Sequence, residues 1–135
     1  MNHAVVTVEE YTTPDPVSVE ETLSLDDLLQ VMTQHGVRHL PVTRHGELVG
    51  VISDRDVRLF VAMPAAERLE LTAGDIMTEA PIMIDADMPL EDAALLMSER
   101  KVGSLIVREG NELLGIFTAT DALNALIEVL RETRK

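Results

Sequence analysis

The residues best placed to do chemistry occur twice, in one phrase. The first copy reads Gly50-Val-Ile-Ser53-Asp-Arg-Asp56 and the second Gly115-Ile-Phe-Thr118-Ala-Thr-Asp121. In each, a hydroxyl stands three residues before a carboxylate. With the hydroxyl at a strand end and the carboxylate in the first turn of the next helix, both can point into one cleft. There the carboxylate can accept hydrogen bonds from a ligand's hydroxyls, worth about 1.5–3 kcal/mol each when charge-assisted. The same spacing also makes a capping box, in which the two side chains only close the helix end. The residue types admit both readings.

Nothing else in the chain reads as a catalyst, and no enzymatic role is expected. There is no Gly-x-Ser-x-Gly elbow, phosphate-binding loop or helical metal motif. With no cysteine, thiol nucleophiles, disulfides and zinc–thiolate sites are excluded. His35 and His39 are four apart, but Gly36 breaks the helical face they would share, so no metal site is expected. The carboxylate pairs Glu20-Glu21, Asp26-Asp27 and Glu91-Asp92 read as solvated faces. Met32, Met77, Met83, Met88 and Met97 read as fillers of an aliphatic core.

Composition narrows the partners. A formal net charge of −13 over 135 residues repels a nucleic-acid backbone. Tyr11, Phe60 and Phe117 are the only aromatics, which leaves few rings to stack on bases. Neither DNA nor RNA is an expected partner. The apolar runs fall far short of a membrane span. No Lys or Arg precedes Arg38, so the N-terminus lacks the positive end of a signal peptide. The expected compartment is the cytoplasm.

The elements that must hold the two phrases repeat as well. A shift of 65 residues aligns 13–60 with 78–125 without a gap. Thr13, Pro16, Leu25, Asp27, Met32 and Val37 meet Thr78, Pro81, Leu90, Asp92, Met97 and Val102. Leu40, Val42, Glu47, Leu48, Gly50 and Asp56 meet Leu105, Val107, Glu112, Leu113, Gly115 and Asp121. An ungapped internal repeat is a strong architectural signal.

Each copy predicts β-α-β-β-α. A short extended piece (Val17–Val19, Ile82–Ile84) leads into a helix with apolar residues at i, i+3, i+4 and i+7: Leu25, Leu28, Leu29 and Met32, then Leu90, Ala93, Ala94 and Met97. Ser24 and Pro89 suit the helix starts and Gly36 the first helix's end; Lys101 takes that place in the second copy and calls for another cap. Two β-rich runs follow, Val37–Val42 with Leu48–Ser53 and Val102–Val107 with Leu113–Thr118, then a last helix from near Asp54 or Ala119. We expect a leader at 1–12, repeat 1 at 13–62, a linker at 63–77, repeat 2 at 78–130 and a basic tail at 131–135. The Ala4–Val8 run suits an edge strand. One copy alone is too small for a sizeable core, so the two sheets are expected to pack on each other.

The Gly-h-h-[Ser/Thr]-x-x-Asp phrases, with Asp75-Ile-Met-Thr78 and Val37-Arg-His-Leu-Pro-Val42, make the chain resemble the cystathionine β-synthase (CBS) domain, usually paired as a Bateman module. The resemblance covers residues 13–125. It implies an α/β fold of the α+β type, a stand-alone tandem repeat whose two small sheets are flanked by helices about a pseudo-twofold axis, with a homodimer expected. It also implies a regulatory, ligand-sensing role: adenine nucleotides or adenosyl compounds such as AMP, ADP or ATP bind in clefts between the repeats, and a regulated partner protein reads the change. No cofactor is required beyond such a ligand.

Carried onto this sequence, the resemblance gives Asp56 and Asp121 to ribose, with Ser53 and Thr118 near ribose or phosphate. It gives Val17, Val37, Leu40, Ile82, Val102 and Leu105 to the adenine pockets. Arg38 and Arg55 are the candidates for phosphate; the alternatives are an Arg55–Asp54 pair and a plain surface charge at Arg38. Gly103 and Thr120 hold the matching positions in the second copy, so that site is expected to favour fewer phosphates or none. The lead-in Glu10-Tyr-Thr-Thr13 departs from Asp75-Ile-Met-Thr78, which is expected to reshape the first site. The rival reading is an interaction module without a small-molecule ligand, assembling through Leu123, Leu126, Ile127 and Leu130.

Overall fold

The repeat folds as two α+β units, each a four-stranded sheet with helices against it, in a computed structural model that describes residues 5–134. One unit comprises residues 16–81; the other joins residues 5–15 to residues 82–134. The first elements among the described residues are a 3-10 turn (Val8–Tyr11) and the two-residue strand β1 (Thr13–Pro14), both of the second unit.

In the first unit, β2 (Val19–Glu20) pairs in parallel with β3 (His39–Arg44), and a parallel pair needs a crossover. Helix α1 (Leu25–His35) supplies it, burying Leu25, Leu28 and Met32 on its apolar stripe. Ser24 Oγ accepts the Asp27 N–H at 3.2 Å, and Gly36 at φ 60° closes the helix in the left-handed region. A tight turn at His45 and Gly46, both at positive φ, returns the chain as antiparallel β4 (Glu47–Ser53). Helix α2 (Asp54–Val61), the short helices α3 (Ala65–Arg68) and α4 (Ala73–Ile76), and strand β5 (Thr78–Glu79) complete the unit. Leu25, Leu28, Leu40, Ile52 and Ala73 form its solvent-free centre.

The second unit repeats the plan with β6 (Met83–Asp85), α5 (Leu90–Arg100), β7 (Ser104–Glu109), β8 (Glu112–Thr118) and α6 (Ala119–Thr133). Its core gathers Val8, Ala93, Leu105, Val107 and Phe117. Lys101 ends α5 at φ 57°, taking by itself the left-handed place that Gly36 fills in the first copy. That conformation costs a residue with a Cβ about 1–2 kcal/mol. Lys101→Gly is therefore expected to stabilise the chain by about 1 kcal/mol, read as a higher urea midpoint at unchanged slope.

The sheet edges are exchanged between repeats. Strand β5, which leads into the second repeat, pairs with β4 of the first at Gly50↔Glu79 and Val51↔Thr78. Reciprocally, β1 pairs with β8 at Thr13↔Ile116 and Pro14↔Gly115. This accounts for the glycine that opens each chemical phrase. A Cβ at Gly50 would lie 2.9 Å from the Thr78 carbonyl oxygen, and one at Gly115 would strike the Thr13 carbonyl.

The structure draws its boundaries elsewhere than the repeat alignment does. The expected leader and linker are built into the cores: Val8 is completely buried in the second unit, and Ala73 and Ile76 are buried in the first. The expected edge strand at 4–8 is not a strand among its described residues. Thr7 and Glu10 form a capping box, with the Thr7 N–H donating to Glu10 Oε2 at 2.9 Å, and that box starts the 3-10 turn. Strands β2, β3, β6 and β7 each begin a residue or two later than their apolar runs suggest. The first residues of the expected basic tail belong to the last turn of α6.

Candidate functional site

Each phrase forms a corner where its unit's last long strand becomes a helix. Ser53 caps α2: its Oγ accepts the Asp56 N–H at 3.2 Å, and Asp56 Oδ2 accepts the Ser53 N–H at 2.9 Å. Thr118 caps α6 in the same way. Its Oγ1 faces the Asp121 N–H at 3.3 Å, while Asp121 Oδ2 accepts the Thr118 N–H at 2.8 Å and faces Thr118 Oγ1 at 3.1 Å. The capping geometry is thus realised in both copies. It does not exhaust the carboxylates, since each is partly exposed and carries a second oxygen beyond the one that closes the box.

The two corners differ in what surrounds them. The Arg38 carbonyl accepts the N–H of Asp54, the first residue of α2, at 2.8 Å, which fixes Arg38 beside the Ser53–Asp56 corner. Gly103 does the same for Ala119 at 3.1 Å and brings no charge. Arg55 is exposed in the first turn of α2. The alternative partner for Arg55 is already engaged: Asp54 accepts from Arg58 Nη2 at 3.1 Å, one helical turn on.

The aliphatic residues expected around adenine divide by burial. Leu40 and Leu105 have no exposed surface, because each lies at the centre of its unit's core. Their expected pocket-lining role is therefore corrected to a core role. Val17, Val37, Ile82 and Val102 are half-buried at the margins of those cores. An open groove of about 460 Å³ runs between α1 and α2, lined by Leu29, Met32, Val37, Val57 and Val61, with Asp54 and Arg58 also on its wall. Asp56 and Ser53 do not line it. His35 ends α1 and His39 begins β3 beyond Gly36, so they share no helical face.

A second set of contacts was invisible in the motif. Thr13 Oγ1 donates toward Asp121, at 3.2 Å from Oδ1 and 3.4 Å from Oδ2. Two residues earlier the Tyr11 hydroxyl donates to Glu128 Oε2 on α6 at 2.6 Å. The exchanged edge puts the altered lead-in 10–13 beside Asp121, so within its own unit it shapes the second corner. The one signal in the sequence was the identity of Thr13 and Thr78 in the repeat alignment.

The bond to Glu128 holds the Tyr11 phenol up to about 12, from an ordinary 10.0. A donor whose folded value is raised contributes stability fully below pH 10, and that contribution is lost as pH climbs through 12. Tyr11 is the only tyrosine and there is no tryptophan, so tyrosinate absorbance should report it alone. We expect a midpoint near 12 that falls back toward 10 in Glu128→Gln.

Residues 8–62 and 73–128 match the CBS domain family. The chain belongs to it. The inosine-5′-monophosphate dehydrogenase of Korarchaeum cryptofilum is 33% identical over 122 residues, a match covering 90% of this CBS pair but only 24% of that enzyme's length. Among solved structures, CBSX2 of Arabidopsis thaliana in complex with AMP is 30% identical with a TM-score of 0.78, covering 91% of this chain and 97% of that one. The CBS domain pair of protein MJ0100, in complex with 5′-methylthioadenosine and S-adenosyl-L-methionine, is 25% identical with the same TM-score, covering 98% and 100%. Among the described residues, no helix of this pair is long and apolar enough to cross a membrane.

Proposed function

We propose that this CBS pair is a regulatory ligand-sensing module, not an enzyme, whose strand-to-helix corners bind adenine nucleotides or adenosyl compounds. The observation that carries the reading is the Asp56 corner: a half-exposed carboxylate on a capped helix end, with Arg38 fixed beside it and Arg55 in its first turn. The carboxylate accepts the vicinal hydroxyls of ribose, and the arginines meet phosphate. The relatives solved with AMP and with S-adenosylmethionine support the ligand class. Ser53 and Thr118 hold the corners in shape, and Val17, Val37, Ile82 and Val102 supply apolar surface for the base. The module works in the cytoplasm, and a partner protein reads its occupancy.

Calorimetric titration with AMP, ATP and S-adenosylmethionine tests this. Binding at micromolar to millimolar concentration, about −8 to −4 kcal/mol, is expected for a sensor of metabolite level. Absence of heat with all three removes the reading. Arg38→Ala with Arg55→Ala should weaken ATP binding more than adenosine binding.

A second reading, self-association, is favoured by α6, where Leu123, Leu126, Ile127, Val129 and Leu130 are each 45–58% exposed. Helices that leave such a row to solvent commonly bury it in an assembly. We propose a homodimer through this face. Sedimentation should show a dimer that Leu126→Glu with Leu130→Glu converts to a monomer.

A further inference from the structure

We propose that Thr13 decides which of the two carboxylates takes ligand, by competing with a ligand diol for Asp121 and leaving Asp56 as the open corner. The inference rests on the nucleotide-binding reading above and goes further, because the motif alone makes the two corners equals. A vicinal diol needs free acceptor capacity on a carboxylate. At Asp121 both oxygens are already addressed: Oδ2 by Thr118 N, Thr118 Oγ1 and Thr13 Oγ1, and Oδ1 by Thr13 Oγ1. At Asp56 only Oδ2 is engaged, by the Ser53 N–H, and among the described residues no hydroxyl reaches Oδ1. Thr78, the counterpart of Thr13, pairs its backbone with Val51 and makes no side-chain bond to Asp56.

Thr13 is held at Asp121 by attachments independent of its hydroxyl. Its strand pairs with β8 across Gly115, Tyr11 bonds Glu128, and Val8 is sunk in the core. A diol arriving at Asp121 must displace a tethered donor, whereas among the described residues no tethered hydroxyl stands at Asp56 Oδ1. Because the tethers survive its removal, the Thr13 hydroxyl can be deleted without freeing the segment.

The experiment titrates full-length variants with AMP by calorimetry. In Asp56→Asn, which leaves the Asp121 corner, adding Thr13→Ala should tighten AMP binding by roughly ten-fold, the range of one neutral hydrogen bond. Thr13→Ser, which keeps the hydroxyl, should match its parent. In Asp121→Asn, Thr13→Ala should change nothing. Unchanged or weaker binding by Thr13→Ala in the Asp56→Asn background overturns the competition, weaker binding meaning that Thr13 is itself a ligand contact. Wild-type protein that binds no AMP at all fails one step earlier, at the nucleotide reading, and takes this inference with it. Thermal melts of each variant separate lost folding from lost binding.

Discussion

Phe117→Ala is expected to cost about 3–5 kcal/mol, the range for emptying a buried aromatic site. Among the described residues Phe117 is the largest side chain with no exposed surface, and Val8, Ile84, Leu105 and Val107 share its cluster. Domains of this size are stable by only about 5–15 kcal/mol, so the loss takes a large share of the total. Its position in β8 extends the damage, because the next residue, Thr118, caps α6. Val8, which shares the cavity wall, anchors the segment carrying Thr13. Urea unfolding should show a much lower midpoint, while Leu59→Ala, at a side chain 72% exposed and outside the proposed dimer face, should stay within about 0.5 kcal/mol of wild type. A Phe117→Ala loss below about 1 kcal/mol would mean the second core is not organised around this ring.

The other large effect concerns the corners themselves. Asp56→Asn should weaken AMP binding by roughly 10- to 150-fold, the equivalent of about 1.5–3 kcal/mol for losing charge-assisted bonds to the ribose. Asparagine is the informative replacement because the carboxylate also closes a capping box. The amide oxygen can still accept the Ser53 N–H, so the helix start persists. What stability is lost is the charge at the helix N-terminus, about 0.3–1 kcal/mol. Alanine would remove ligand contact and cap together and leave the two roles confounded. Asp121→Asn should lower overall AMP binding less, since Thr13 already occupies that carboxylate. If neither Asn variant changes AMP affinity, the ribose role is rejected and only the caps remain.

Much of the fold was legible because the signals that specify it are local. Leu25, Leu28 and Met32 share one helical stripe, Ser24 and Gly36 bracket it, and His45-Gly46 turns the hairpin, as their spacing and types dictate. The capping box at each corner was legible for the same reason. What escaped was non-local. Nothing in the spacing of Gly50 or Gly115 says that a strand 28 residues onward or 102 residues back lies over it. Thr13 looked like the start of its own repeat, but its side chain serves the other one. The resemblance gave Leu40 and Leu105 to the adenine pockets, yet both are fully buried in the cores, because alternation in a strand gives the side of the sheet and not what covers it.

The exchanged edges bear on how a chain like this originates. A lone ancestral copy would carry a donor strand at its front and an empty acceptor edge behind the glycine, and could satisfy neither within itself. Two such molecules trading strands would satisfy both, as in domain-swapped dimers. Gene fusion then turns the trade into a covalent one, after which the halves are free to diverge, as at the corner where one carries Arg38 and the other Gly103.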